Sequence, residues 1–286
     1  MNPKHMESSD PSAVAVMPFV SGKTRLFAVI ADPVAHVRAP MVLNPMFAEN
    51  GIDAIMVPMQ IPAVSLESTI RGLAAMPNMG GVAVTIPHKM ALAELCDSLG
   101  LGARITGAVN AVRFDNGKLV GDNFDGTGFV AGLVGEGHDP AERSVLMIGA
   151  GGAARAIAVA LLGRGISSLT ISNRSPEKAE TVAELLRQHR SDIPIRTSDT
   201  AMLSGDLKDF DLIINATSLG LHNGDALPCN LDRTADHVVV AEVIMIPDKT
   251  AWLEHAEAHG LVIHKGRHMF DYQSMLIGRF LGALPE

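Results

Sequence analysis

The sequence feature that most constrains the fold is a glycine-rich turn near the middle of the chain, between an apolar run and a helical segment. The run Val145–Ile148 indicates a buried strand, the Ala- and Leu-rich residues up to Gly165 indicate a helix, and the run 169–172 indicates a second strand. Two parallel strands joined by a helix form one unit of an open α/β sheet. The segment therefore predicts a βαβ unit with its turn at the carboxyl end of the first strand.

The turn has the spacing G-x-G-x-x-A, which is typical of a dinucleotide-binding site. Gly149 permits a tight turn, Gly151 lets a pyrophosphate approach the backbone, and Ala154 is small enough for helix and strand to pack closely. The phosphates would lie at the helix N-terminus, where free N–H groups and the helix dipole favour negative charge. A turn with a purely structural role is the alternative. The predicted cofactor contacts from this turn are Gly149, Ala150, Gly151, Gly152 and Ala153.

The end of the second strand indicates NADP. An NAD site places Asp or Glu about 20 residues after the glycines, where the carboxylate holds the ribose 2′-hydroxyl. At this position the chain has Asn173, Arg174 and Ser175, and Lys178 follows one helical turn later. Two cations with neighbouring amide and hydroxyl groups suit a 2′-phosphate, whereas a solvated cationic loop would leave the missing acid unexplained. We therefore predict that these four residues bind NADP.

Composition argues against several other classes of protein. A net charge of −8 at pH 7 disfavours a general nucleic-acid-binding protein, which needs a basic face for phosphate contacts. The two cysteines, Cys96 and Cys229, have no C-x-x-C spacing, so neither a disulfide framework nor a cysteine zinc site is indicated. No apolar run is long enough to span a membrane, and the N-terminal residues lack the pattern of a signal peptide. We expect a cytoplasmic monomer or homodimer that binds neither nucleic acid nor membrane.

The order of the predicted elements indicates a two-domain α/β protein. Strands alternate with helices from residue 25, Asn116-Gly117 marks a hairpin, and a polar linker at 135–143 leads into the βαβ unit. This order predicts an N-terminal open α/β domain for the substrate and a C-terminal Rossmann domain for NADP. The predicted boundaries are a flexible tail at 1–22, the substrate domain at 23–125, the Rossmann domain at 126–266 and a final helix at 267–286 that packs back on the substrate domain.

Three polar residues lie in apolar or glycine-rich surroundings. Lys89 follows a predicted buried strand and starts a helix, where a cation opposes the helix dipole; this placement indicates a chemical role, although a surface lysine is the commoner case. Asp125 lies at the N-terminus of another helix, where capping alone would explain it. Asn110 lies among small apolar residues, where a backbone hydrogen bond in a turn would explain it. Each residue by itself therefore has a structural explanation.

Taken together, these residues resemble the shikimate dehydrogenase family. The family motifs V-T-x-P-x-K, G-A-x-N and G-x-N-x-D-x-x-G occur here in order and contain Lys89, Asn110 and Asp125. The resemblance runs from near Leu26 to the C-terminus, and it includes the glycine turn and its NADP residues. It further includes the run 215–220, the Pro247 and Thr250 pattern, and Gln273 in the last predicted helix.

The resemblance implies an NADP-dependent oxidoreductase. Hydride would pass reversibly between NADP(H) and the ring carbon of shikimate or 3-dehydroshikimate, a step in the biosynthesis of chorismate and the aromatic amino acids. Lys89 and Asp125 would form the catalytic pair, with Lys89 donating a proton to the forming alkoxide. Thr85, Asn110 and Gln273 would hold hydroxyl and carboxylate groups of the substrate. Further cofactor contacts implied by the resemblance are Thr217, Ser218, Leu219, Met245 and Gly266.

Two positions depart from the family pattern. The family has Ser-Lys-Ser before a proline where this chain has Val37-Arg38-Ala39, and it has a tyrosine where this chain has Met245. Loss of two hydroxyl partners at about 1 kcal/mol each would weaken binding of the substrate carboxylate by about one to two decades. An inward Arg38 would compensate through a charge-assisted hydrogen bond, so we include it among the predicted substrate contacts. The alternatives are a paralogue acting on quinate or another hydroxylated ring acid, and a catalytically weak NADP-binding regulator.

Histidines near the C-terminus offer a weak metal pattern. His255 and His259 lie one helical turn apart, with His264 and His268 nearby, but the order H-A-E-A-H differs from the H-E-x-x-H of zinc hydrolases. A solvated helix end is the simpler interpretation. We therefore expect no metal.

Overall fold

The structure is a computed structural model that describes residues 20–285. The predicted N-terminal tail at 1–22 lies outside the described residues except for its last three. The chain divides into two compact units. Among the described residues, unit 1 comprises 20–124 and 274–285, and unit 2 comprises Asp125–Gln273.

Unit 1 contains a mixed six-stranded sheet with helices. Its strands are β1 (Arg25–Ala31), β2 (Ala54–Gln60), β3 (Met79–Val84), β4 (Ser98–Leu99), β5 (Ala111–Asp115) and β6 (Lys118–Asp122). Its helices are α1 (Ala39–Glu49), α2 (Leu66–Ala74), α3 (Lys89–Leu95) and α4 (Leu101–Thr106), with a short 3-10 helix at Ala63–Ser65. The strand order is β2-β1-β3-β5-β6-β4, and β5 runs antiparallel to both of its neighbours while the other pairs are parallel.

The predicted hairpin forms between β5 and β6. Asn116 and Gly117 adopt φ angles of 52° and 80°, both in the left-handed region, and Asp115 pairs with Lys118 across the turn. A two-residue turn of this kind matches the right-handed twist of its strands, and asparagine and glycine adopt it at low cost. The hairpin prediction is therefore confirmed.

The residues from Met90 to Leu99 have the composition of one helix, and the sequence predicts a helix over this whole segment, but the structure differs. Helix α3 ends at Leu95, Ser98–Leu99 forms the strand β4 beside β6, and α4 follows as an additional helix. The side chain of Asp97 accepts a hydrogen bond from the Leu119 N–H group at 2.7 Å. This bond ties the segment to β6, so a tertiary pairing and not local helix propensity determines its conformation.

Unit 2 contains a parallel six-stranded sheet. Its strands are β7 (Ser144–Ile148), β8 (Ser168–Ser172), β9 (Ile195–Ser198), β10 (Leu212–Asn215), β11 (Val239–Glu242) and β12 (Val262–His264). Its helices are α5 (Asp125–Gly135), α6 (Gly152–Arg164), α7 (Pro176–His189), α8 (Ala251–Ala258) and the start of α9 (Gly266–Phe280), with a 3-10 helix at Thr200–Ser204. The strand order β12-β11-β10-β7-β8-β9 is that of a dinucleotide-binding Rossmann sheet.

The central strand β7 is buried on both faces. Val145 and Met147 pack in one apolar cluster with residues of α6, and Leu146 and Ile148 pack in a second cluster that contains Trp252 of α8. Helices on both faces of a parallel sheet leave no polar side, which explains why the strand is apolar throughout. Among residues 20–285, no helix is long and apolar enough to cross a membrane.

The last helix, α9, continues from unit 2 into unit 1. Its residue Ile277 and the following Leu281 are buried in one apolar cluster with Phe27 of β1 and Leu43 of α1. The end of the chain therefore packs against the first sheet and forms part of its core.

Helix α5 uses glycines to approach its neighbours. A Cβ atom on Gly126 would lie 1.9 Å from the carbonyl oxygen of Ala156 in α6, and a Cβ atom on Gly128 would lie 2.6 Å from the Cβ atom of Gln273 in α9. Such distances are far below van der Waals contact. The glycines after Asp125 therefore serve close packing of helices inside unit 2.

We predict that Gly126→Ala lowers the free energy of unfolding by about 3 kcal/mol, at the upper end of overpacking costs, because the added methyl group meets backbone atoms. Gly163→Ala in α6 is the matched control. Its Cβ atom would meet nothing within 4 Å, so the helix should gain up to about 1 kcal/mol. Urea unfolding of both variants measures the effect, and equal stability of the two would contradict the packing role of Gly126.

Candidate active site

Three predicted site residues of unit 1 lie near the carboxyl end of β3. Thr85 directly follows β3, Lys89 begins α3, and Asn110 directly precedes β5. The Thr85 N–H group donates to the carbonyl oxygen of Ile30 at 3.1 Å. The carbonyl oxygen of Asn110 accepts from the Val84 N–H group at 2.8 Å, and that of Lys89 accepts from the Val109 N–H group at 2.9 Å. These backbone bonds place Thr85, Lys89 and Asn110 on adjoining segments.

Asn110 is buried, with 2% of its surface exposed. Its Oδ1 atom accepts a hydrogen bond from the Phe124 N–H group at 2.9 Å. The amide therefore fixes the backbone that immediately precedes Asp125. The backbone hydrogen bond considered at the sequence level is present, and a substrate contact of Asn110 stays a prediction.

Lys89 is the first residue of α3 and is half-buried. His88, which precedes it, is almost completely buried. The placement predicted from the sequence, a cation at a helix start after a buried strand, is therefore observed. A catalytic role of Lys89 stays a prediction.

Arg38 precedes α1 and is exposed. Within the described range 20–285, its side chain makes no hydrogen bond or ion pair, and it does not cap the helix. Its neighbours Val37 and Ala39 are half-buried and offer no hydroxyl group. The turn after β1 thus presents apolar side chains and one solvated cation where the family pattern has two serines.

In unit 2, Asp125 and Gln273 meet. Asp125 begins α5, Gln273 lies on α9, and the Gln273 Nε2 atom donates a hydrogen bond to Oδ1 of Asp125. The close packing permitted by Gly128 brings these two side chains together. The predicted catalytic carboxylate is therefore held by the side-chain amide of another predicted site residue.

The glycine turn has the geometry that an approaching phosphate needs. Gly149 adopts a φ of 121°, and a Cβ atom there would lie 2.8 Å from the carbonyl oxygen of Ala216. Gly151 and Gly152, at the N-terminus of α6, face open space, since a Cβ atom on either would meet nothing within 4 Å. The turn therefore leaves backbone N–H groups accessible at the positive end of a helix, which fits a dinucleotide pyrophosphate.

A cavity of about 760 Å³ opens beside this turn in unit 2. Six predicted cofactor residues line it: Gly149, Asn173, Arg174, Thr217, Ser218 and Leu219. Eight others do not: Ala150, Gly151, Gly152, Ala153, Ser175, Lys178, Met245 and Gly266. Arg174 and Lys178 are exposed, and Asn173 Nδ2 donates to the carbonyl oxygen of Ser175 at 2.9 Å. The cavity thus contains a cationic residue at the end of β8 and no acidic residue there.

Most of the remaining residues that line the cavity were not predicted from the sequence. They belong to the 3-10 helix after β9 and to the loop 227–232, which contribute Thr200, Leu203, Ser204, Leu227, Pro228, Cys229, Asn230 and Asp232. These residues lie in segments without a recognisable motif. Only the packing of the loop on the sheet brings them to the cavity.

Asn215, at the end of β10, shapes the loop that carries Thr217 and Leu219. Its Oδ1 atom accepts hydrogen bonds from the N–H and hydroxyl groups of Thr217 at 3.1 and 2.7 Å, and its Nδ2 atom donates to the carbonyl oxygen of Leu219 at 2.9 Å. Asn215 is fully buried. It is therefore a positioning residue for one wall of the cavity.

Glu242 is a second buried polar residue at this edge, and sequence analysis missed it. It ends β11 opposite Asn215, is fully buried, and accepts a hydrogen bond from the Thr250 hydroxyl at 2.9 Å. Burial raises the pKa of the Glu242 carboxyl to about 7. The sequence did contain a signal for this residue, since Glu242 directly follows the apolar run 238–241. Its bond to Thr250 ties the strand end to the start of α8.

Gly266 and Met245 lie near the same edge in different environments. A Cβ atom on Gly266 would lie 2.3 Å from the carbonyl oxygen of Ile244, so close backbone packing requires glycine at this position. Met245 is 44% exposed on the loop after β11. Packing explains Gly266 without a cofactor, and cofactor contacts of both residues stay predictions.

A parallel Rossmann sheet with an open glycine turn, joined to a second α/β unit that carries a lysine and an amide at its strand ends, defines a two-domain, dinucleotide-dependent oxidoreductase. Family models match both units: the shikimate dehydrogenase substrate binding domain over residues 29–112, and shikimate / quinate 5-dehydrogenase over residues 135–222. The chain belongs to the shikimate dehydrogenase family.

Individual relatives agree with this assignment. A shikimate dehydrogenase (NADP(+)) of Rubrobacter xylanophilus is 38% identical over 94% of this chain and 95% of its own length. The crystal structure of the shikimate 5-dehydrogenase of Listeria monocytogenes, in complex with shikimate and NAD, has a TM-score of 0.85 at 29% identity and covers 94% of this chain and 95% of its own. A 5-ketofructose reductase of Gluconobacter sp. has a TM-score of 0.83 at 32% identity, with 91% and 94% covered.

Proposed function

We propose that this protein is an NADP-dependent shikimate dehydrogenase, which transfers hydride reversibly between NADP(H) and shikimate or 3-dehydroshikimate on the route to chorismate. The observation that carries the proposal is the set of polar residues at the strand ends of each unit, in a chain of this family. Its relative from Rubrobacter xylanophilus carries this activity in its name. The substrate is accordingly a small hydroxylated ring acid.

NADP, when bound, supplies or accepts the hydride. On reduction of the ketone, Lys89 donates a proton from its ammonium group to the oxygen as the carbon receives the hydride, so that an alcohol forms. Asp125 supplies the carboxylate of the catalytic pair, and its hydrogen bond from Gln273 holds that carboxylate in one orientation. Thr85 and Asn110 would hold hydroxyl groups of the ring.

The proposed cofactor residues form two groups, one for the pyrophosphate and one for the 2′-phosphate of NADP. Gly149, Gly151 and Gly152 would cradle the pyrophosphate at the N-terminus of α6. Arg174, with Asn173, Ser175 and Lys178 around it, would hold the 2′-phosphate. Gly149, Asn173 and Arg174 line the cavity of unit 2, which supports a cofactor site reaching from the glycine turn to the end of β8.

We predict that Arg174→Asp reverses the cofactor preference. Loss of a charge-assisted hydrogen bond to the 2′-phosphate removes roughly 1.5–3 kcal/mol, which lowers kcat/KM with NADP by roughly 10- to 150-fold. The new carboxylate suits the free ribose 2′-hydroxyl, so activity with NAD should rise. Steady-state rates with both cofactors measure the change, and Arg196→Asp, an exposed arginine on β9, is the control. An unchanged cofactor ratio would remove Arg174 from the proposed site.

A second candidate function is reduction of a neutral polyhydroxy ketone. The turn Val37-Arg38-Ala39 lacks both serine hydroxyls of the family pattern, Arg38 is exposed, and a ketone without a carboxylate would not need those hydroxyls. The similarity to a 5-ketofructose reductase points to the same class of substrate.

One substrate panel separates the two functions. NADPH oxidation is measured with 3-dehydroshikimate and 5-ketofructose, and NADP reduction with shikimate and quinate. The proposed function requires the highest kcat/KM with the shikimate pair, and in that case Arg38→Ala should raise KM for the acid. A preference for the neutral ketone, with no effect of Arg38→Ala, would establish the second function instead. Tight NADPH binding without turnover of any compound would indicate a regulator.

A further inference from the structure

Three potential metal ligands converge at the end of helix α8 in unit 2. They are Asp232, His255 and His259, and their ligand atoms all lie within 4.8 Å of one another. The two histidines are one helical turn apart, so their rings lie on the same face with centroids 4.2 Å apart. The sequence alone led us to expect no metal here, because H-A-E-A-H differs from H-E-x-x-H. The structure adds a third potential ligand that this pattern does not contain, Asp232 from the loop before β11.

The hydrogen bond of His259 fixes which ring nitrogen is available to a cation. Its Nδ1 atom lies 2.8 Å from the backbone carbonyl oxygen of His255. A carbonyl oxygen can only accept, so Nδ1 carries the hydrogen and Nε2 of the neutral ring carries the lone pair. This arrangement is the one that orients metal-binding histidines in proteins.

The lone pair of His259 faces another acceptor. Its Nε2 atom lies 3.3 Å from Oδ1 of Asp232, and Nε2 of His255 lies 3.9 Å from the same oxygen. Two acceptors at this distance repel each other unless a cation, either a proton or a metal ion, lies between them. In a tetrahedral site with bonds of 2.0–2.1 Å, neighbouring ligand atoms are about 3.3 Å apart. The pair of Asp232 and His259 already has this spacing.

We propose that Asp232, His255 and His259 bind a divalent transition-metal ion of the zinc class. Two imidazole nitrogens with one carboxylate oxygen suit Zn²⁺ or Co²⁺ better than Mg²⁺ or Ca²⁺, which prefer all-oxygen sites. The three side chains are partly exposed, so solvent completes the coordination. This inference does not rest on the proposed function, because none of the three ligands is among the residues proposed to bind the cofactor or the substrate.

The location gives the ion a structural consequence. Asp232 and His255 also line the cavity of unit 2, and Asp232 is held by a hydrogen bond from its N–H group to Oδ1 of Asn230 at 2.9 Å. A bound ion would connect the loop 227–232 to α8 and thereby fix one wall of the cavity. The proposed role of the ion is therefore to hold this loop against α8.

The test uses the full chain after removal of metal with a chelator. Titration with Co²⁺, followed by the visible absorption of the four-coordinate ion, should show one site per chain, and Zn²⁺ should displace the cobalt and raise the melting temperature. Asp232→Asn and His259→Gln should each weaken metal binding by at least roughly 10- to 100-fold. Loss of a group that only hydrogen-bonds to a metal ligand already has an effect of this size. Asp236→Asn and His189→Gln, both exposed, are the controls.

Three results would overturn the proposal. They are absence of cobalt absorption, binding that is equally strong in Asp232→Asn and His259→Gln, and weakening by the control variants to the same extent. The second and third would identify adventitious binding to surface histidines. Circular dichroism confirms that each variant is folded before its affinity is compared.

Discussion

Lys89→Ala is expected to lower kcat by about 10²- to 10⁴-fold, the contribution of a positioned general acid. Without the ammonium group, the alkoxide oxygen that forms on hydride transfer has to take its proton from water. The glycine turn and the cavity that would bind NADP belong to unit 2, whereas Lys89 belongs to unit 1. Binding of NADPH should therefore be unchanged while turnover is lost.

The measurement pairs steady-state oxidation of NADPH with fluorescence titration of NADPH. Lys118→Ala, an exposed lysine at the start of β6, removes a cation from the same unit and should retain normal kcat. A kcat within threefold of wild type in Lys89→Ala would reject Lys89 as the proton donor. Loss of activity in both variants would point to a general charge effect in unit 1.

The second large effect concerns acid stability, and it originates at His264. This residue ends β12 and is buried, and neither ring nitrogen has a hydrogen-bond partner within the described part of the chain. Burial lowers the pKa of His264 to about 3, and the neighbouring His268 and His138 act in the same direction. The centroids of those two rings lie 4.8 and 6.0 Å from that of His264.

The sign of the pH effect follows from proton uptake. Below pH 6.5 the unfolded chain binds a proton at His264, while the folded chain does not until about pH 3. The unfolded state therefore binds more protons in this range, and the free energy of unfolding falls as the pH falls. We expect a loss of about 1.4 kcal/mol per pH unit from this residue, or about 2 kcal/mol at pH 5 relative to neutral pH.

Urea unfolding between pH 7.5 and pH 5 tests this expectation. His264→Leu removes the titrating group and keeps the apolar packing. The pH dependence of its free energy of unfolding should therefore be smaller than that of the wild type by about 1.4 kcal/mol per pH unit. His189→Gln, at the exposed end of α7, should retain the wild-type slope. If His264→Leu keeps the full slope, the acid sensitivity arises elsewhere, for example at His268, whose pKa is also lowered by burial.

Sequence reasoning was most successful where local chemistry determines the backbone. The turn Asn116-Gly117, the strand β7 and the glycine turn after it follow from φ preferences and continuous apolar character, and all form as predicted. It failed at Ser98–Leu99, where two residues join a sheet only because β6 offers a free edge. Elements this short carry no periodicity that a sequence pattern can reveal.

The candidate site shows the same division. Lys89 and Asp125 were identified in the sequence as charged residues at helix starts, Asn110 as an amide among small residues, and all three by the order of the family motifs. By contrast, Glu242 and the cavity wall at 227–232 lie in segments without a motif. Their positions depend on the parallel register of β10 and β11 and on how a loop packs.

The sequence by itself determined the family, the two α/β sheets and the order of the polar residues along the chain, because glycine, apolar periodicity and motif spacing are local properties. Only the tertiary structure decided which of these residues meet. Gln273 reaches Asp125 because glycine lets two helices approach, and Asp232 joins two histidines because a loop folds back on α8. Contacts between residues far apart in the chain depend on packing, and packing is not encoded in any single segment.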